Sequence, residues 1–205
     1  MQKYKTITIC VGMVLLLCIV GVTLYSNNSN SIIPDRRLEE IIRKQIGKPK
    51  GEITPEDCLG ITELDLKSVG RNLEGLQYFH DLEVLRCTQG GLSDISAISQ
   101  LTKLKDIDFY QNNISDLTPL SGLVNLKSLV LQKNKIQDLT PLATLTNLEY
   151  LAIGKNPVEY NSDGFVPLEK LHGLRINSYA DYEIVIGRDE LKSPHELEGE
   201  SSDLG

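Results

Sequence analysis

The chain has 205 residues, enough for one domain with a real core and some appendages. Its formal charge of −7 argues against a nucleic-acid surface. That charge is unevenly spread. Lys3 and Lys5 open the chain, no acid precedes Asp35, and Asp181 to Gly205 carries eight acids against Arg188 and Lys192.

Ile7 to Tyr25 is a run of 19 uncharged residues. As a helix it would be about 28 Å long, close to the ~30 Å hydrocarbon core of a bilayer. Two lysines precede it and the next basic residue is Arg36. That asymmetry puts the N-terminus in the cytoplasm and the rest outside. Three readings are open. A retained signal-anchor fits the length and the lack of an A-x-A cleavage site. A cleaved signal peptide would use Leu24-Tyr25-Ser26, which leaves the chain secreted. A lipoprotein would use Cys18, although Leu17 stands where a small residue is wanted.

Ser26 to Ser31 is a polar spacer. A helix is then expected, N-capped by Asp35, with Leu38, Ile41, Ile42 and Ile46 on one face and Gly47 with Pro49 ending it. Thr54-Pro55-Glu56-Asp57 gives a second start signal, with a capping hydroxyl, proline at the first helical position and acids in the first turn. Such a helical unit would shield the open end of a stacked structure C-terminal to it. A partner-binding helix is the other reading.

The stretch C-terminal to this unit is periodic. Leu82, Leu104, Leu126 and Leu148 lie 22 residues apart. Leu126, Leu129, Leu131, Asn134, Ile136, Leu139, Leu142 and Leu145 restate Leu104, Ile107, Phe109, Asn112, Ile114, Leu117, Leu120 and Leu123. A period of this size opening L-x-x-L-x-L-x-x-N is the pattern of a leucine-rich repeat. The second and third apolar residues lie two apart, so they bury together on one side of a short strand. The asparagine ends the strand, where its amide can satisfy backbone groups. One coil cannot bury its apolar face alone, so the coils must stack. The fold expected is an α/β solenoid of about five coils, with a concave parallel sheet, a 3₁₀ or irregular convex side and a helical N-terminal cap.

Coil one, from Ile61 through Leu64, Leu66, Leu73, Leu76 and Phe79, is one residue short and lacks the asparagine. Coil five keeps Leu148, Leu151, Ile153 and Asn156, then inserts residues from Pro157 to Gly164, and Leu168, Leu171 and Leu174 restore the convex positions four residues late. Tyr182 to Ile186 reads as a strand covering the far end, and the acidic tail after it as disordered. The chain is accordingly expected to divide into 1–31 (anchor or signal peptide and spacer), 32–60 (cap), 61–180 (repeats) and 181–205 (capping strand and tail).

On the convex side Asp94, Asp116 and Asp138 share one position, and Thr118-Pro119 and Thr140-Pro141 another. Threonine before proline suits a single 3₁₀ turn. The aspartate column invites a calcium reading, but three acids ~4.8 Å apart would repel unless each capped local N–H groups, and capping is preferred. No metal or cofactor is expected.

The phrases NNISDLTPLSGLVNL and NKIQDLTPLATLTNL resemble the 22-residue repeats of bacterial internalins and related Gram-positive surface proteins. The lead-in from Asp35 to Leu66 is similar to their helical cap. The resemblance spans Asp35 to Asn156 and implies a concave strand face that binds a protein partner, often on a host cell.

Side chains alternating with the buried pair should face that side. Coil by coil they are Glu63, Asp65, Lys67; Val84, Arg86, Thr88; Asp106, Asp108, Tyr110; Ser128, Val130, Gln132; and Tyr150, Ala152, Gly154. Asp65, Arg86 and Asp108 form a column suited to cross-strand ion pairs. Tyr110, Val130, Ala152 and Tyr150 form an apolar stripe of the kind that anchors partners. The candidate binding residues are Tyr110, Val130, Tyr150, Arg86, Asp106, Asp108 and Gln132. Five strands span only ~24 Å, room for one modest interface.

Nothing points to catalysis or to a small-molecule substrate. His80, His172 and His195 lie on unrelated segments, without a nucleophile or metal-ligand spacing. Cys10 and Cys18 fall in the apolar segment, and Cys87 takes a buried strand position. Outside the cell a Cys58–Cys87 disulfide is conceivable. Two functions therefore stand: a membrane-tethered, protein-binding recognition module, or a structural component of the cell envelope.

Overall fold

A computed structural model of the protein describes residues 31–68, 70–158, 166–179 and 182–185, with 178–179 and 182–185 described by backbone alone. The chain divides between Ser31 and Ile32 into two units, and the solenoid belongs to the second. The expected apolar segment 7–25, the spacer, most of the coil-five insertion and the acidic tail lie outside the described residues. Among the described residues no helix is long and apolar enough to cross a membrane.

The cap forms as its sequence directs. Helix α1 (Arg36–Gln45) is N-capped by Asp35, whose Oδ1 accepts from the Leu38 N–H at 2.7 Å. It buries Leu38 and Ile42 completely, with Ile41 and Ile46 partly buried beside them. A 3₁₀ turn (Pro55–Cys58) follows. Asp57 closes it: its Oδ2 accepts from Thr54 N at 2.8 Å and from Lys48 Nζ at 2.5 Å. Before α1, Ile33 is fully buried. It sits against Gly75, whose φ is +104° and where an added Cβ would come within 2.7 Å of Ile33 Cγ1 and 2.8 Å of the Ile32 carbonyl. Only glycine meets both demands.

Among the described residues seven strands make one sheet, in chain order: β1 (Glu63–Asp65), β2 (Val84–Arg86), β3 (Asp106–Asp108), β4 (Ser128–Val130), β5 (Tyr150–Ala152), β6 (Arg175–Tyr179) and β7 (Tyr182–Val185). The first six are parallel and β7 runs antiparallel to β6. The register is that of the repeat. Leu64, Leu85, Ile107, Leu129, Leu151 and Ile176 stand in line and are buried to 2% exposure or less. Leu66, Cys87, Phe109, Leu131 and Ile153 form a second fully buried column. Convex side chains fill the space behind, each coil turning through a 3₁₀ segment: Leu76–Tyr78, Ser96–Ile98, Thr118–Leu120, Thr140–Thr144 and Val166–Leu168. Each fully buried leucine contributes about 2 kcal/mol, so the stacked columns hold the coils together.

Two polar ladders reinforce the stack. Asn112, Asn134 and Asn156 are buried, and each amide ties its own coil to the one before. Asn134 Oδ1 accepts from Ile114 N at 3.0 Å, while its Nδ2 donates to the Phe109 and Leu131 carbonyls, both at 2.9 Å. Asn112 and Asn156 repeat the arrangement. The second ladder lies on the opposite flank, where Asn125 Nδ2 donates to the Thr102 carbonyl and Asn147 Nδ2 to the Val124 carbonyl, both at 2.8 Å.

The turn before each ladder position holds a left-handed residue that is not glycine. Ser68, Gln89, Gln111, Lys133 and Lys155 have φ between 55° and 61°. Backbone N–H groups in these turns continue the sheet's pairing past the strand ends, as from Gln111 N to the Gln132 carbonyl at 2.9 Å. Convex aspartates behave as local caps: Asp94, Asp116 and Asp138 each accept from the N–H two residues on, at 2.9, 2.8 and 2.8 Å.

The far end differs from the expected five coils by one further parallel strand. Leu174 is followed by Ile176 after two residues, where Leu148 is followed by Leu151 after three, so the frame is broken just where β6 begins. Cys58 and Cys87 are both free and buried. The Cys58 thiol is pushed up to about 11, by burial first and then by Asp57 and Glu56.

Candidate functional site

A parallel sheet is ordinarily covered on both faces. Here the core occupies one face, and the other carries the alternate side chains of β1–β6. The register sorts them into columns. Glu63, Val84, Asp106, Ser128, Tyr150 and Arg175 form one, and Asp65, Arg86, Asp108, Val130, Ala152 and Asn177 the next. Tyr110 and Gln132 stand just past the strand ends, their carbonyls accepting from Gln89 N at 3.0 Å and Gln111 N at 2.9 Å. Five of the seven residues singled out in the sequence, Arg86, Asp106, Asp108, Val130 and Tyr150, therefore share one face of β2–β5, with Tyr110 and Gln132 in the turns just past β3 and β4.

Their environments differ. Asp106 is exposed, while Arg86, Asp108, Tyr110, Val130, Gln132 and Tyr150 are half-buried. Asp108 Oδ1 accepts from the Tyr110 N–H at 2.9 Å, which fixes the turn carrying the ring. Lys133 places its ammonium 4.8 Å from the centroid of that ring, within the range of a cation–π contact. Two expectations are corrected. Asp65, Arg86 and Asp108 do share a column, but the guanidinium of Arg86 pairs with Glu63 in the neighbouring column. Ala152 is 1% exposed and drops out of the apolar stripe, because its single methyl lies between the longer side chains of Val130 and Asn177.

One flank of the solenoid carries the other concentration of charge. Lys103 pairs with Asp81 at 2.6 Å, Lys105 with Glu83 at 2.7 Å and Lys127 with Glu149 at 3.6 Å. Glu83, Lys103, Lys105, Asn125, Lys127 and Asn147 line an open groove of about 390 Å³ there. Every ammonium in it already has a carboxylate, so the groove is an ion-pair ladder between coils rather than an anion site. Among the described residues no group of three or more histidines, cysteines, aspartates and glutamates is placed to hold a metal ion. His80 and His172 are exposed on separate coils.

Residues without a sequence signal strong enough to single them out are structural. Gln45 and the Asn125–Asn147 ladder are of this kind, although asparagine just before the first frame leucine in two coils was a usable signal.

Comparison with known proteins places this geometry. The family model for leucine-rich repeats in two copies matches residues 124–163. No curated protein matches the chain. Among solved structures, internalin C2 of Listeria monocytogenes is 31% identical with a TM-score of 0.50, the match covering 72% of this chain and 75% of that one. A second internalin of the same organism is 27% identical with a TM-score of 0.40, covering 71% of this chain and 56% of its own.

Proposed function

This chain belongs to the internalin family of leucine-rich repeat proteins, and we propose that it is an exported, membrane-tethered module that binds a protein partner through the concave face of its sheet. The observation that carries the reading is a sheet face that no element among the described residues covers. Tyr110, Val130 and Tyr150 stand half-exposed there on a backbone fixed by ladder bonds on both flanks. Aromatic anchors on a rigid face lose little conformational freedom on binding. The groove on the ion-paired flank is lined instead by lysines, asparagines and Glu83.

The tether rests on the sequence. Ile7 to Tyr25 has the length and apolarity of a span, and the lysines before it set the orientation that leaves the repeats outside the cell. Secretion after signal cleavage would export the same repeats.

The experiment is a cross-linking pull-down with the chain and its Tyr110→Ala/Tyr150→Ala variant, against envelope extract and host-cell-surface extract. A protein captured by the parent and lost by the variant supports recognition through the concave face. Equal capture of envelope proteins by both forms supports a structural role in the envelope, with the stripe reduced to sheet chemistry.

A further inference from the structure

The concave face is polar in its layout: charge at the β1–β3 end, apolar and aromatic surface at the β3–β5 end. At the charged end the only ion pair among the described residues joins Arg86 to Glu63. Asp65, Asp106 and Asp108 have no ion-pair partner among the described residues, and Lys67 is the remaining basic side chain of those three coils' concave positions. Their field reaches inward. The buried Cys87 thiol is held well above its ordinary value, by burial first and then by the charges of Asp65 and Asp108. Arg86 stands between those two in register. Beside them the Tyr110 ring holds the Lys133 ammonium 4.8 Å from its centroid, so the cation there is the chain's own and the acidic surface lies on the β1–β3 side of the ring.

We infer that the concave face takes a protein segment in one orientation, a lysine- or arginine-bearing stretch against Asp65, Asp106 and Asp108 and an apolar or aromatic residue against Tyr110, Val130 and Tyr150. This rests on the concave-face reading above and adds the partner's chemistry and direction. Complementary charge selects the partner and sets its register, while the apolar half supplies the anchor. A partner of opposite layout would bring like charges together at β1–β3 and leave the aromatic end facing polar groups.

The test uses a phage-displayed library of random peptides about twelve residues long, panned on the full-length chain, on Asp106→Asn/Asp108→Asn and on Tyr110→Ala/Tyr150→Ala. Enriched peptides should pair lysine or arginine with aromatic or large aliphatic residues. Their binding should weaken about tenfold in the aspartate variant and about tenfold again as NaCl rises from about 50 to about 500 mM. Peptides without basic residues, lost in the tyrosine variant and kept in the aspartate variant, overturn the basic partner and leave the concave reading standing. Peptides that bind all three forms alike, or no enrichment over an unrelated bait, overturn both.

Discussion

The side chain of Gln45 holds both backbone groups of Asp65. Its Nε2 donates to the Asp65 carbonyl at 2.6 Å and its Oε1 accepts from the Asp65 N–H at 3.1 Å. Gln45 is the last residue of α1 and Asp65 the last of β1. One amide thus stands in for the strand that would otherwise pair with the sheet's first edge, the kind of edge through which other chains add. Gln45→Ala should cost about 1 kcal/mol in urea unfolding, and Asp65 should lose its amide-exchange protection. Gln45→Glu should cost more, because a carboxylate cannot donate to the carbonyl and sits beside the Asp65 charge. Unchanged protection at Asp65 in Gln45→Ala would show the edge to be closed by something else.

The buried asparagines join coils, so deleting one should weaken two coils together. Asn134→Ala leaves Ile114 N without its side-chain acceptor and removes a donor from the Phe109 and Leu131 carbonyls. The Phe109 and Leu131 carbonyls keep Asn112 and Asn156 as donors, so one buried group is left unsatisfied, at about 1–3 kcal/mol. Two bonds are lost besides, at about 0.5–1.5 kcal/mol each, so a loss of at least about 2 kcal/mol is expected. Exposed Asn125→Ala should lose about 1 kcal/mol, and similar losses for the two variants would contradict the ladder's ranking.

The left-handed column offers a stabilising change. Gln111 has φ 56°, a conformation that costs an L-residue about 1–2 kcal/mol and glycine little. Against that stands glycine's greater freedom in the unfolded chain, about 0.5–1 kcal/mol. Gln111→Gly should therefore be neutral to about 1 kcal/mol stabilising, and Gln111→Val destabilising by more than about 1 kcal/mol, the cost of a β-branched residue there. Thermal unfolding of the two variants beside the parent decides it.

Acid should loosen the convex caps. The Ser96 backbone N–H chiefly holds Asp94 below the usual carboxylate value, and the hydrogen bonds of Thr118 and Thr140 do the same for Asp116 and Asp138. A depressed folded value means that the stability is present above the unfolded pKa of about 3.9 and is lost as pH falls through the folded one. Asp116→Asn keeps the Oδ1 acceptor and removes the titration. Its stability should lie near the parent's at neutral pH and fall less than the parent's below about pH 4. An identical acid profile would mean that the cap is not coupled to Asp116 ionisation.

The legible part of the fold is the part that the period encodes. The step from Leu82 to Leu148 determines β2–β5, the buried columns and the asparagine ladder, because stacking converts a sequence interval directly into register. Asp35, Thr118-Pro119 and Thr140-Pro141 announce their turns through local capping chemistry. The period is silent wherever the interval changes, so β6 is hidden by the insertion and the shortened step from Leu174 to Ile176. It also gives columns and not rotamers: Arg86 sits between Asp65 and Asp108 yet reaches Glu63, and Ala152 lies in the stripe yet is buried by its neighbours. Gln45 carries no signal, since a glutamine at a helix end is common and its partner is 20 residues away.

Recognition through the concave sheet face is tested most directly by the affinity of the captured partner for three forms of the chain: the parent, Tyr110→Ala/Tyr150→Ala, and the flank variant Lys105→Ala/Lys127→Ala. The tyrosine variant should bind at least about 30-fold more weakly, about 2 kcal/mol, while the flank variant stays within about threefold of the parent. Loss of binding in the flank variant with full retention in the tyrosine variant would contradict a concave interface, and would move it to the ion-paired side of the solenoid.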